Sequence, residues 1–87
     1  MSKHHSHPAI IKRLKRATGH LQSIIVMMQE GRDCLTLAQQ LSAVEKAITQ
    51  AKKTLIKDHI DHCLEDSGGK HRGAETIGEL KEITKYL

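Results

Sequence analysis

The chain has no tryptophan, no phenylalanine and one tyrosine, Tyr86. Without aromatic platforms it cannot stack unpaired bases as single-strand binders do. Its core must be made of Leu, Ile, Val, Ala and Met, which suits helix-on-helix packing better than a β-sandwich. Pro8 is the only proline, and nothing reads as a β-hairpin turn. No apolar run approaches the roughly 20 residues needed to cross a bilayer. The His-rich opening Met1–His7 runs into a charged amphipathic segment, not the apolar stretch of a secretory leader. Cysteine is scarce too: Cys34 and Cys63 are the only two, which points to free thiols in a cytoplasmic protein, not to a disulfide framework. A phosphate-binding glycine loop, a dinucleotide fingerprint and a nucleophile elbow are all missing.

What is present reads as one all-α domain over residues 1–87, with 1–7 a flexible His-rich leader. Pro8 suits the first helical position, with Ser6 or His7 as cap, and a first helix runs to about Glu30. Ile10, Leu14, Ala17, Leu21, Ile24, Ile25 and Met28 recur at three- and four-residue spacing along it. Gly31 stops it. Asp33 caps a long second helix, from about Cys34 to Glu65. Its stripe of Leu37, Leu41, Val44, Ile48, Ala51 and Leu55 steps alternately by four and three, the 3.5-residue repeat of helices packed side by side. Such a helix, about 48 Å long, outreaches any core that so short a chain can build, so it calls for other chains. Ser67-Gly68-Gly69 ends it. A third helix, about Ala74–Tyr86, turns Ile77, Leu80 and Ile83 inward.

Net charge is +4 and the sequence pI about 9.3, a moderate basic excess whose distribution is the informative part. Lys12, Arg13, Lys15 and Arg16 cluster early, Lys46, Lys52, Lys53 and Lys57 follow in the middle, and acidic residues gather between Asp58 and Glu82. Charged helix faces are often merely solvated. Here the density of the first cluster, repeated by symmetry in an oligomer, points to duplex DNA backbone as the partner. No helix-turn-helix or zinc-finger signature accompanies it.

Cys34, His59 and Cys63 carry the chemistry. His59 and Cys63 are four apart, so on a helix they share a face, a two-ligand arrangement for a soft or borderline metal. Cys34 lies 25 positions before His59 in the same helix, roughly 37 Å away. Metal–nitrogen and metal–sulfur bonds are about 2.0–2.3 Å. If Cys34 joins the site it must come from a second, antiparallel chain. Taken singly, each of these residues is better explained as a buried cysteine or a surface histidine; the three together favour a bridging metal site. His4, His5 and His7 are candidates for a further nitrogen ligand, the plain alternative being a tag remnant or idle tail. His62 points about 100° away from Cys63, and His20 suits a surface position or an inter-helix hydrogen bond.

These residues resemble the CsoR/RcnR family of metal-sensing transcriptional repressors over nearly the whole chain. The resemblance rests on Arg13-Leu14-Lys15-Arg16, Gly19-His20, Cys34, Gln39-Gln40-Leu41-Ser42-Ala43-Val44, and His59 with Cys63. The run from His7 to Arg16 looks most like the NreA-like nickel-resistance branch. Departures are His20 where family members commonly have Gln, Asp33 where copper sensors often have Tyr, Ser2 where formaldehyde-sensing relatives have Pro, and Cys63 where some nickel and cobalt sensors have His. The resemblance implies a three-helix subunit forming an antiparallel bundle dimer and a disc-shaped homotetramer. It also implies that Cys34 meets His59 and Cys63 of the dimer partner, and that operator DNA is bound metal-free and released with metal. Cys34, His59 and Cys63 alone suit three-coordinate Cu(I); an added histidine gives the N₂S₂ set that suits square-planar Ni(II). The His-rich start favours Ni(II), with Co(II) beside it and Cu(I) the alternative. Two other classes stand against a repressor: a metal buffer without DNA affinity, and a thiol enzyme pairing Cys63 with His59.

Overall fold

The computed structural model describes residues 6–67 and 73–87. They form three α-helices and, among the described residues, no strand: α1 (His7–Gln29), α2 (Cys34–Ser67) and α3 (Gly73–Thr84). The all-α, three-helix expectation holds. α1 begins one residue earlier than the sequence suggested, so His7 is already helical. Ser6 stands at the N-cap but does not cap. Its φ of −82° and ψ of −15° are helical, where a capping side chain needs extended backbone, and its Oγ is buried with no hydrogen-bond partner.

The turn between α1 and α2 is closed by local chemistry. Gly31 takes φ +79°, the left-handed conformation that glycine adopts without a Cβ penalty. The Gly31 N–H donates to the Met28 carbonyl at 3.1 Å and the Arg32 N–H to the Met27 carbonyl at 3.0 Å, the paired bonds of a Schellman end. Asp33 then caps α2: its carboxylate accepts from the Thr36 N–H at 2.9 Å and from the Thr36 hydroxyl at 2.8 Å. These two bonds, the backbone one first, hold the Asp33 carboxyl below its ordinary 3.8. A depressed folded-state value means that the stabilisation is fully present above the unfolded value and is lost as pH falls through the folded one. Asp33→Ala should therefore lower the thermal midpoint at pH 7, and its deficit should vanish in strong acid. A deficit constant from pH 7 to pH 2 would remove the cap from the explanation.

α2 runs two residues past the expected Glu65. α3 ends two residues short of Tyr86, because Lys85, Tyr86 and Leu87 donate to the carbonyls of Glu82, Ile83 and Thr84 at 3.1–3.2 Å, tightening the end into three-residue turns.

α1 and α2 form an antiparallel hairpin, and α3 packs on α2 and not on α1 among the described residues. Ile10, Ala17 and Ile24, seven apart, are buried from α1; Val44, Ala51 and Ile56 are buried from α2. The 3.5-residue stripe of α2 thus splits in two. Val44 and Ala51 are buried, while Leu41, Ile48 and Leu55 stay exposed, as do Leu14, Leu21, Ile25 and Met28 on α1. Ile77, expected to point inward, is also exposed, and Leu80 and Ile83 are half-buried, because α3 has one helix to lie against.

The shape explains this. The chain measures 58 × 23 × 13 Å with a radius of gyration of 17.7 Å, against about 12 Å for a compact domain of this length. Thirteen ångströms is little more than one helix diameter, about 10–12 Å. The helices lie in a single layer, and a stable core needs a second.

Candidate functional site

Cys34 is the first residue of α2, exposed, with a free thiol beside the Asp33 cap. His59 lies 25 residues further along the same unbroken helix, which keeps the two at opposite ends of the molecule. His59 is half-buried, and α3 reaches it: Glu79 Oε2 stands 3.5 Å from His59 Nε2. A cleft of about 510 Å³ lies between the two helices, lined by His59, Gly78, Glu79, Glu82, Ile83 and Tyr86. A carboxylate on one ring nitrogen fixes an imidazole's orientation. Glu79 was not foreseen. Only the return of α3 against α2 brings it there, and nothing in its sequence spacing from His59 announces that.

Cys63 is one turn beyond His59 in α2, at the register that shares its face; its side chain lies outside the described residues, as do His4 and His5 altogether. His7 is described, and the hairpin decides its position. Arg13 and Gln50 line one pocket and so sit level with each other. Six residues back along α1 and six on along α2 are His7 and Ile56, the latter less than one turn before His59. The hairpin therefore returns His7 to the His59 end and away from Cys34. His62 is half-buried at the same end. Among the described residues, no three His, Cys, Asp or Glu side chains of one chain converge on a point where a metal could sit. The donor set itself fits a soft or borderline cation, since it offers thiol and imidazole and little oxygen.

The basic residues divide. Lys12, Arg13, Lys15, Arg16, Lys46, Lys52 and Lys53 are all exposed. Arg13 and Arg16 meet His20, Ala17, Ala47 and Gln50 around a pocket of about 330 Å³ between α1 and α2. Lys46 lines an adjoining groove with Gln39, Ser42, Ala43, Ala47 and Gln50. Lys12, Lys15, Lys52 and Lys53 line neither. Of the two placements open to His20, it takes the bond between helices, its Nε2 2.6 Å from Gln40 Oε1. Gln39 and Gln40 entered the sequence reading only through the family resemblance and Gln50 went unremarked, since polar uncharged residues on a helix carry no signal until the groove shows them together. On another part of the surface, Leu14, Ala17, Thr18, Leu21, Val44 and Ile48 form an apolar groove. No helix among the described residues is long and apolar enough to cross a membrane.

Comparison with known proteins agrees with the three-helix fold. A family model described as metal-sensitive transcriptional repressor matches residues 6–86. The copper-sensing transcriptional repressor CsoR of Mycobacterium ulcerans (strain Agy99) is 33% identical over 78 residues, covering 90% of this chain and 67% of that protein. CsoR of Bacillus subtilis (strain 168) is 34% identical over 76 residues, covering 87% of this chain and 75% of that one. Among solved structures, the nickel-responsive transcriptional regulator InrS superposes with a TM-score of 0.86 at 26% identity, over 99% of this chain and 97% of that one.

Proposed function

The chain belongs to the metal-sensitive transcriptional repressor family, and from that premise we propose that it holds operator DNA when metal-free and releases it on binding Ni(II). Co(II) is the related candidate, and Cu(I) the alternative effector. Cys34 of one subunit joins His59 and Cys63 of its antiparallel partner, and His7, His5 or His4 adds a nitrogen. The observation that carries this reading is the single long α2, which holds Cys34 and His59 at opposite ends of one chain while the hairpin returns His7 to the His59 end. An antiparallel second copy brings the two ends together.

The bound ion supplies a cross-link between subunits. The chain's own residues do the rest. Glu79 orients the His59 ring and ties α3 to it. The exposed leucines and isoleucines of α1 and α2 give the partner chain an apolar face to cover. Arg13, Arg16 and Lys46 form the DNA-facing groove, with Lys12, Lys15, Lys52 and Lys53 adding long-range charge. Because the ligands come from two chains, metal occupancy favours one arrangement of the subunits, and with it one spacing of their basic grooves. A ligand shifts a conformational equilibrium only through such a difference between states.

Support for nickel is the histidine supply at the His59 end and the likeness to the nickel-responsive InrS; support for Cu(I) is the copper-sensing CsoR relatives. Removing Met1–Ser6 and replacing His7 by Ala separates them. Ni(II) affinity should fall roughly tenfold or more, about 1.4 kcal/mol, while Cu(I) affinity, satisfied by three ligands, should hold. Titrations of both metals followed by absorption spectroscopy read this directly. Equal loss for both metals, or none for either, would end the nickel reading. Salt-sensitive duplex binding that Ni(II) reverses distinguishes a repressor from a metal buffer.

A further inference from the structure

We propose that the pocket between α1 and α2 walled by Arg13, Arg16, His20 and Gln50 is a seat for one phosphate oxyanion, and that His20 is part of its wall. The pocket measures about 330 Å³, and no carboxylate lines it. Neither Arg13 nor Arg16 is paired with a carboxylate among the described residues, so two guanidinium groups face one opening with their charge uncompensated. A guanidinium offers a planar fork of donors that matches phosphate oxygens two at a time.

His20 makes this more than a charged surface. The Gln40 carbonyl oxygen can only accept, so at 2.6 Å His20 Nε2 carries the hydrogen. That bond crosses from α1 to α2 and holds the ring in place before any ligand arrives, so binding loses little side-chain freedom there. The opening itself depends on Ala17 and Ala47, whose methyl groups leave space where a longer side chain would fill it. Gln50 adds an amide that can donate.

The oxyanion has two sources: a backbone phosphate of bound duplex, or free inorganic phosphate. The first rests on the repressor reading above; the second stands without it. Both are tested on the metal-free full chain labelled with ¹⁵N, following the His20 imidazole and the arginine side-chain N–H signals. One titration uses inorganic phosphate against sodium chloride at matched ionic strength; the other uses a duplex carrying a promoter region. The expected result is movement of the His20 and Arg16 signals beyond what chloride produces. Movement with phosphate identifies a free-oxyanion seat, and movement with duplex alone a backbone-phosphate seat. Ala47→Leu keeps every charge and fills the pocket, so it should weaken the response at least tenfold. Should that variant fail to fold, the exposed Arg16→Gln serves instead. In the duplex titration, Arg16→Gln should also reduce the log–log salt slope by about 0.9 per emptied seat. Signals that follow ionic strength alone in both titrations, or an unchanged response in folded Ala47→Leu, overturn the seat. Phosphate movement without any duplex binding keeps the seat and ends the repressor reading. Duplex binding with His20 and Arg16 unmoved does the reverse.

Discussion

Cys34→Ala should lower metal affinity a hundredfold or more, about 2.7 kcal/mol, and leave duplex affinity within about twofold, since no phosphate-contacting charge is removed. Cys34 is an exposed thiol at the start of α2 and lines neither of the basic grooves. Loss of sulfur-to-metal absorption reads the first effect, and a duplex shift assay the second. The bridging claim allows a sharper test. Cys34→Ala and His59→Ala chains should each fail alone, yet unfolding them together and refolding the mixture should recover about a quarter of the metal sites. Half of the random dimers are then mixed, and each has one complete site made of two undamaged halves. A site confined to one chain recovers nothing. Normal metal affinity in Cys34→Ala would discard the ligand set altogether.

Ile48→Glu should be the most disruptive single change on the exposed apolar face. Ile48 is 47% exposed in the lone chain and lines the groove with Leu14, Leu21 and Val44. If a second copy covers that groove, a carboxylate there is buried without a partner, at roughly 3–5 kcal/mol, and a two-fold interface repeats the penalty. The variant should sediment as a species near 9.7 kDa or lose helicity, and should lose metal binding with its assembly. Lys57→Ala is the control. Its side chain is 82% exposed, paired only at 3.9 Å with Asp61, and its removal should change neither property. An Ile48→Glu protein of full assembled size with unaltered metal affinity would mean that the interface lies elsewhere.

Much of the fold was readable because its signals are local. Gly31 and Asp33 mark the α1–α2 turn through one left-handed residue and one carboxylate, each acting within four positions of itself. The alternating stripe from Leu37 to Leu55 announced a helix packed side by side with others, and Val44 and Ala51 of that stripe are buried while Leu41, Ile48 and Leu55 stay exposed in the lone chain. The distance between Cys34 and His59 needed only the rise of a helix. What escaped depends on how helices sit against one another. Glu79 meets His59 because α3 folds back on α2, and Gln50 shares a pocket with Arg13 because of the hairpin register. Ser6 looked like a cap by residue type, but its backbone is helical. Ile77 looked like a core residue by spacing, yet its helix has too few neighbours to cover it.

If other copies complete the core of the thin, one-layer subunit, gene dosage becomes part of the sensor. A chain 13 Å thick would then assemble by mass action, and its folded fraction would rise with how much of it the cell makes. Halving synthesis would remove more than half of the competent assemblies, and the deficit would fall on DNA occupancy and metal capacity together. Newly made chains would stay open to proteolysis until they met a partner. A cell could therefore reset the metal threshold of its promoters by tuning translation alone, with no change in any ligand.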